Sequence, residues 1–505
     1  MPIAHVNMTI DNLIPDSLLA VNNDGSVKIV YSTHFPGLST DTLLNIPDTT
    51  IQNSYHLPFG SLGLSPSQFF PTGGPQNTTF AVSNAQIVMG ILDAGKMIVQ
   101  LKNDLRRRVI LRYQIPNATK NLIPFDTSFL MQAAPDSLHG YTRTATIDLG
   151  GYTIDFTGTN HDRVNTLSTT FTAQVDPTET NAPYLAYPED TVAANCLITG
   201  IKPFYFRGYF GNQTVAIGPT ESPLSFFRNI RSGSLGLDSL KMSLDIDNYI
   251  GMDAQLKVNR IWSRNANTGT TVNLQHSIIG QTINVNRGQY TTPWPDVLPA
   301  SYHFDFTNSN SNAKALIENM PQYLGYDATL ITDPLGNVSG NNDFLFAAHG
   351  IDATLNVEMP LNLFASQLVI ADTIAPDFLS VKNRENVIDG KITLHAQNSF
   401  PFATALQIYL LDVNGNVSDS LISQPNLITA GQISWNNGYF SSIGFNNSEI
   451  TIPLSTVKTV ALFNSPKIII KATFDTNSTP TYAKIYSTNQ LNIQLNADFT
   501  YRVGN

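Results

Sequence analysis

Charged side chains are scarce in this sequence. They make up 13% of its 505 residues, about half the share of an average soluble domain. The missing polarity is carried by Asn, Ser, Thr and Gln, which suit strands and turns better than the Glu/Lys-rich surfaces of helical enzymes. Basic residues are fewer than acidic ones, 28 against 38, and the longest basic run is Arg106, Arg107 and Arg108. A nucleic-acid backbone needs a clustered cationic surface, so no nucleic-acid partner is expected. The one cysteine, Cys196, excludes an intrachain disulfide and leaves the compartment open, because an oxidising space permits disulfides without requiring them. No apolar run approaches the roughly 18 residues of a membrane helix. The start, Met1 to His5, shows neither the basic nor the apolar region of a signal peptide. Either the protein is intracellular or a leader lies upstream of Met1, and the composition favours the second.

Hydrophobic residues, by contrast, make up 42%. That is enough for several cores, and a prior of roughly 150 residues per domain suggests about three. A repeat supports that division. Residues 96–113, 241–258 and 391–408 align without gaps, each with alternating apolar residues leading to an Asn. The alternating residues are Met97, Val99 and Leu101, then Met242, Leu244 and Ile246, then Ile392, Leu394 and Ala396. Period two marks a strand with one face in a core. The strands end at Asn103, Asn248 and Asn398, a residue whose side chain bonds local backbone and tolerates turn dihedrals. Two residues on stands an apolar anchor, Leu105, Ile250 or Phe400, and a second alternating strand follows with Leu111 and Tyr113, Leu256 and Val258, or Leu406 and Ile408. A second landmark, Asn319 and Asn464 at the ends of short apolar-periodic stretches, recurs at nearly the same period.

The remainder reads as strands and hairpins. Asn22 to Gly25 and Asp412 to Gly415 are hairpin signals. The last strand alternates from Leu491 through Leu495 to Val503, and helix is confined to about 311–320 and 455–463. The expected fold is all-β: three tandem antiparallel β-sandwich repeats with long strands and one or two short helices. The repeats are placed at 80–220, 224–373 and 378–505, with 1–79 completing the first. Turn-rich boundaries near 218–224 and 373–378 separate them.

The third repeat, with Asn398 followed by Pro401 and Phe402, resembles the water-stress/hypersensitive-response β-sandwich domain, whose hallmark is an alternating strand, an Asn, often a Pro, and an apolar residue. The other two repeats lack the Pro, and the match covers about 20 residues per unit. That likeness implies a sandwich and no catalytic residues. Residues 2–6, 16–19, 46–51 and 336–344 are similar to segments of secreted proteins and lipoproteins of Bacteroidota. This second likeness implies an envelope location and a leader upstream, and brings no activity with it.

Motifs of chemistry are few. The Gly-x-Ser-x-Gly elbow and the His-Glu-x-x-His zinc motif are both missing. Cys196 lies in an apolar run without the cationic neighbour a thiolate nucleophile needs, and reads as a buried core residue. His161 and His349 read as loop residues. Asp412, Asn414 and Asn416 alternate oxygen ligands as a calcium loop would, but without the distal Glu. The same letters spell a hairpin turn, and residues 333–343 leave the same alternative open. Asp148, Asp155, Glu189 and Asp190 are the acids available for a glycosidase pair, with nothing in the spacing to pair them. Tyr205 and Tyr209, in an aromatic-dense stretch, and Trp435, near a turn, form a possible binding surface. Tyr290 and Trp294 also lie near turns.

No catalytic residue and no cofactor are therefore expected. The function expected is that of a non-enzymatic structural or interaction protein of the cell envelope: outer-membrane-associated, periplasmic or on the cell surface. An accessory subunit of an outer-membrane complex is one form. Its partner would be an envelope protein or a glycan, and any membrane attachment would run through a lipid anchor. A carbohydrate-binding protein and a hydrophobic-ligand carrier are the alternatives.

Overall fold

The computed structural model describes residues 2–502 except 11–13, 15, 39–42, 45, 58, 181–182, 225–226, 228–229, 292–295, 348, 376–385, 423–425, 437 and 477–480. Trp294, Val503 and part of the expected boundary at 373–378 lie outside the described residues. The fold is all-β, with long antiparallel strands in multiple sheets and two short helices that lie wholly within the described residues, α1 (Ala313–Glu318) and α2 (Thr456–Asn464). Both helices fall where the apolar periodicity places them. Ser455 caps α2 by accepting a hydrogen bond from the Lys458 N–H at 3.4 Å.

Each repeat Asn ends a strand of one sheet. In chain order the strands of these sheets are β1 (Pro2–Thr9), β2 (Val27–Leu38), β3 (Thr49–His56), β4 (Gln86–Asn103), β5 (Tyr141–Asp148), β6 (Thr191–Tyr209), β7 (Lys241–Asn248), β8 (Ala300–Phe306), β9 (Asp343–Phe346), β10 (Ile351–Pro360), β11 (Val387–Asn398), β12 (Asn446–Leu454) and β13 (Gln490–Tyr501). One antiparallel order recurs three times: β3-β6-β4-β5, then β2-β10-β7-β8, then β1-β13-β11-β12. Opposite each sheet runs a second one built on residues 109–120 and 166–175, on 254–264 and 323–332, or on 403–411 and 467–475. In the first unit, Thr153–Asp155 pairs with strands of both sheets and closes one side.

The alternation read from the sequence is the inward face. Met97, Val99, Leu101, Met242, Leu244, Ile246, Ile392, Leu394 and Ala396 are all buried, and so are the facing Leu111, Tyr113, Leu256, Val258, Leu406 and Ile408. Burying a side chain of this size contributes about 1.5–3 kcal/mol.

The three Asn residues are fully buried and do the same work. Each Oδ1 accepts the backbone N–H of the anchor two residues on: Leu105 at 3.1 Å, Ile250 at 2.9 Å and Phe400 at 2.8 Å. Each Nδ2 donates to a carbonyl in a distant loop, that of Gln132, Asn286 or Thr429. Asn103 and Asn398 also donate to the carbonyl four residues on, Arg107 or Phe402. An apolar residue of equal volume would leave these backbone groups buried and unpaired.

Residues 1–79 do not simply complete the first unit. β3 joins it, as do the short strands at 69–70 and 76–79. β2 instead pairs with β10 of the second unit, and β1 with β13 of the third. The sequence shows the parity of a strand but not its partner, and β6, β10 and β13 each offer a flank of the same kind. A further crossing links the first two units: β9, from the second, pairs with the end of β6, Tyr205 opposite Phe346 and Gly208 opposite Asp343. One continuous apolar core includes residues of all three units.

Candidate functional site

The aromatic candidates lie in different places. Tyr205 is buried at the junction of the first two units, where its hydroxyl bonds that of Tyr290 and its ring packs on Phe344 and Phe346. It is therefore not part of an exposed surface: β9, arriving from some 140 residues downstream, covers it. Tyr209 is half-buried, and its hydroxyl accepts the Asn212 N–H at 3.0 Å. Trp435 is 63% exposed on a hairpin of the third unit, packed against Phe440.

The remaining candidates are engaged locally. The Asp412 carboxylate accepts the backbone N–H groups of Asn414 and Asn416 at 2.9 and 2.8 Å, and Gly415 takes the positive φ of 85° that the hairpin turn requires. The strands at 403–411 and 417–420 run on either side of that turn. Asp148 accepts the Gly150 N–H, Asp155 the Thr157 N–H, and His161 pairs with Asp155. His349 stacks on Tyr249.

Cys196 is buried in the first sandwich beside Tyr113. Burial pushes its thiol up to about 11. At pH 8 the thiolate fraction is then about a thousandth, and a thiol reagent is expected to label the native protein at least about a hundred times more slowly than the denatured chain. Fast labelling of the native state would contradict the core placement.

Residues 333–343 hold a different kind of charge group. Asp333 and Asp343 are both buried, and Arg287 donates to Asp343 Oδ1 at 2.6 Å. Asp333 Oδ2 has no hydrogen-bond partner among the described residues. Burial, with Asp343 nearby, pushes the Asp333 carboxyl up to about 7. A carboxyl that ionises later in the folded than in the unfolded state costs stability as pH rises from about 4 to 7, and the full cost remains above 7. Asp333→Asn is accordingly expected to stabilise the protein by roughly 2–4 kcal/mol at pH 8 and by little at pH 4. Denaturation midpoints at the two pH values check this, and equal gains at both would refute it.

Two surface features gather polar and charged side chains. The first is a row of side chains crossing the outward face of each Asn-bearing sheet, three residues before the corner Asn. In the first unit it reads Gln52, Asn195, Gln100 and Thr144. In the second it is His34, Thr354, Asp245 and His303, and in the third His5, Gln494, His395 and Glu449. The outward parity of the strands, set by the inward apolar residues, places each row. Within two rows His303 bonds Asp245, and His395 lies 3.4 Å from Glu449. Asp245 and Asp305 hold the imidazole of His303 above its usual range.

The second feature is a cleft of about 440 Å³ beside the first Asn corner, within the 300–1,000 Å³ range of ligand sites. Lys102, Asp104 and Arg106 line one side, residues 136–140 another, and Tyr184, Leu185, Tyr187, Glu189 and Asp190 a third. Asp136 orders its own loop by accepting the N–H groups of Leu138 and His139, both at 2.8 Å. Gly140 lies directly against the Asp104 carboxylate, so a side chain there would have to displace it. Asp190 accepts both the Tyr184 hydroxyl and the Tyr187 N–H at 2.9 Å. Arg107 lies over the Tyr184 ring, 5.4 Å from its centre, and burial with the Asp190 contact pushes the phenol up to about 12. Glu189 and Asp190 are among the acids the sequence offers, whereas Tyr184 and Tyr187 are not among its candidates. Their signal is local: Tyr184 and Tyr187 stand three residues apart between Pro183 and Pro188.

No protein-family model and no curated protein matches the chain. Among solved structures it is similar to a protein from Parabacteroides distasonis classed as secreted, at 11% identity over 58% of this chain and 83% of that one, with a TM-score of 0.28. It is also similar to the infectious bursal disease virus Gt strain structure, at 10% identity over 93% of this chain and 85% of that one, with a TM-score of 0.14. At these scores neither likeness bears on function. No described helix is long and apolar enough to cross a membrane.

Proposed function

We propose that this chain is a non-enzymatic structural or interaction protein of the bacterial cell envelope, which presents its outward sheet faces to a protein partner or a glycan. The observation that carries the reading is the hydrogen-bonding row repeated at one position in all three units. In each unit the row sets donors and acceptors side by side on a solvated face, in a chain otherwise short of charge. An accessory subunit of an outer-membrane complex, held by a lipid anchor, is the form that joins these faces to the low-charge composition. The carrier alternative has less support. The apolar cavities lined by Ile29, Leu361 and Phe474 and by Phe35, Leu256 and Tyr326 measure about 80 and 50 Å³, well under the roughly 300 Å³ at which ligand sites begin.

The test is fractionation of the source cells, with a photo-crosslinking residue placed at Gln100, Asp245 or His395. Recovery in the envelope with one crosslinked component, absent when the crosslinker sits at a buried position, is the expected result. Recovery in the cytosol would overturn the proposal.

A further inference from the structure

We propose that the cleft beside Asn103 is a saccharide-binding site, a reading that rests on the interaction role above and names a ligand class for one place on the molecule. Three observations converge on that class. Tyr187, Leu185 and Leu138 are 45%, 46% and 87% exposed at its walls, which gives apolar surface for the C–H face of a pyranose ring. Most of the charges there are already used: Lys102 pairs with Asp104 at 2.8 Å, Asp136 holds its loop, and Asp190 holds both tyrosines. Arg106 and Glu189 remain, and among the described residues neither side chain has an ion pair or a hydrogen bond to protein. One donor fork and one carboxylate of opposite sign suit a neutral ligand whose hydroxyls both accept and donate. A phosphate or carboxylate ligand would meet Asp104, Asp136, Glu189 and Asp190, which outnumber the cations. A purely apolar ligand would leave all of them unpaired.

The site is also preorganised. Asp190 and Arg107 fix Tyr184 from two sides, and Asp136 fixes the facing loop, so a ligand need not order these walls on binding.

Titration calorimetry on the full chain tests the proposal with three probes: tetrasaccharides of β-linked glucose, β-linked N-acetylglucosamine and α-linked mannose. At least one is expected to bind with a Kd on the order of 0.1–1 mM. Tyr187→Ala is expected to weaken binding about tenfold and Glu189→Gln about fivefold. Both side chains are exposed, so both variants should melt with the parent. Trp435→Ala is expected to leave binding unchanged. No heat from any probe at 10 mM, or binding indifferent to both cleft variants, would overturn the site without touching the envelope role. Reducing ends released from a bound tetrasaccharide, and lost with Glu189→Gln, would uphold the site and overturn the non-enzymatic reading instead.

Discussion

Leu495→Asp is expected to unfold the third unit and, with it, to release the amino-terminal strand. Leu495 is 5% exposed at the middle of β13, directly opposite Leu394 of β11, itself fully buried. Removing the leucyl contacts costs roughly 2–3 kcal/mol. An unpaired carboxylate in the same place adds several more, or forces the strand out. The sum approaches the whole stability of an ordinary domain, about 5–15 kcal/mol. Because β13 lies between β11 and β1, its loss frees residues 2–9 as well as the carboxy-terminal third. Limited proteolysis with mass spectrometry should show cleavage beginning at both ends together, around a resistant fragment that holds the first two units. Cleavage at the carboxy-terminal end alone would mean that β1 holds without β13. Collapse of the whole chain in one step would mean that the continuous core makes the units inseparable.

Asn398→Ala is expected to cost about 3–5 kcal/mol, more than any exposed polar substitution. The side chain satisfies three buried backbone groups: the N–H of Phe400 and the carbonyls of Phe402 and Thr429. Each group left unpaired costs about 1–3 kcal/mol. Asn103→Ala should match it, because Asn103 also makes three such bonds. Asn248→Ala should cost less, having two to lose. Asn398→Asp keeps the acceptor for Phe400 but loses both donations and buries a charge, so it should be no milder than Ala. Denaturant unfolding of the three Ala variants beside Asn447→Ala, an exposed control, gives the ranking. If the control cost as much as Asn398→Ala, the corner bonds would not be what the asparagines contribute.

Much of this architecture was legible because it is local. The alternation around Val99, Leu244 and Leu394 gave strands and their inward face. The Asn with its anchor two residues on gave the corner, whose Oδ1 bond spans only those two residues. What was not legible depends on partners far apart in sequence. Nothing in residues 2–9 distinguishes a strand meant for β13 from one meant for β6. Nothing around Tyr205 announces that residues 343–346 will cover it. The cleft was half-readable for the same reason. Glu189, Asp190 and the two tyrosines lie within residues 184–190, whereas Lys102 and Gly140 reach them only through the pairing of β4 with β5 and β6.

The pairings of β3 with β6, β2 with β10 and β1 with β13 are nested, like brackets opened in one order and closed in the reverse. During synthesis, the strand most recently laid down meets its mate first, and no closure has to thread through another. β1 waits longest. About 480 residues separate it from its mate, and at 5–20 residues per second the ribosome takes roughly 25–95 s to cover them. Through that interval β1 is an unpaired strand beside growing sheets whose open flanks resemble its own, a standing opportunity for a wrong match. Nascent chains arrested before residue 490 should therefore be more prone to aggregation than the finished protein, and deleting residues 2–9 should relieve them.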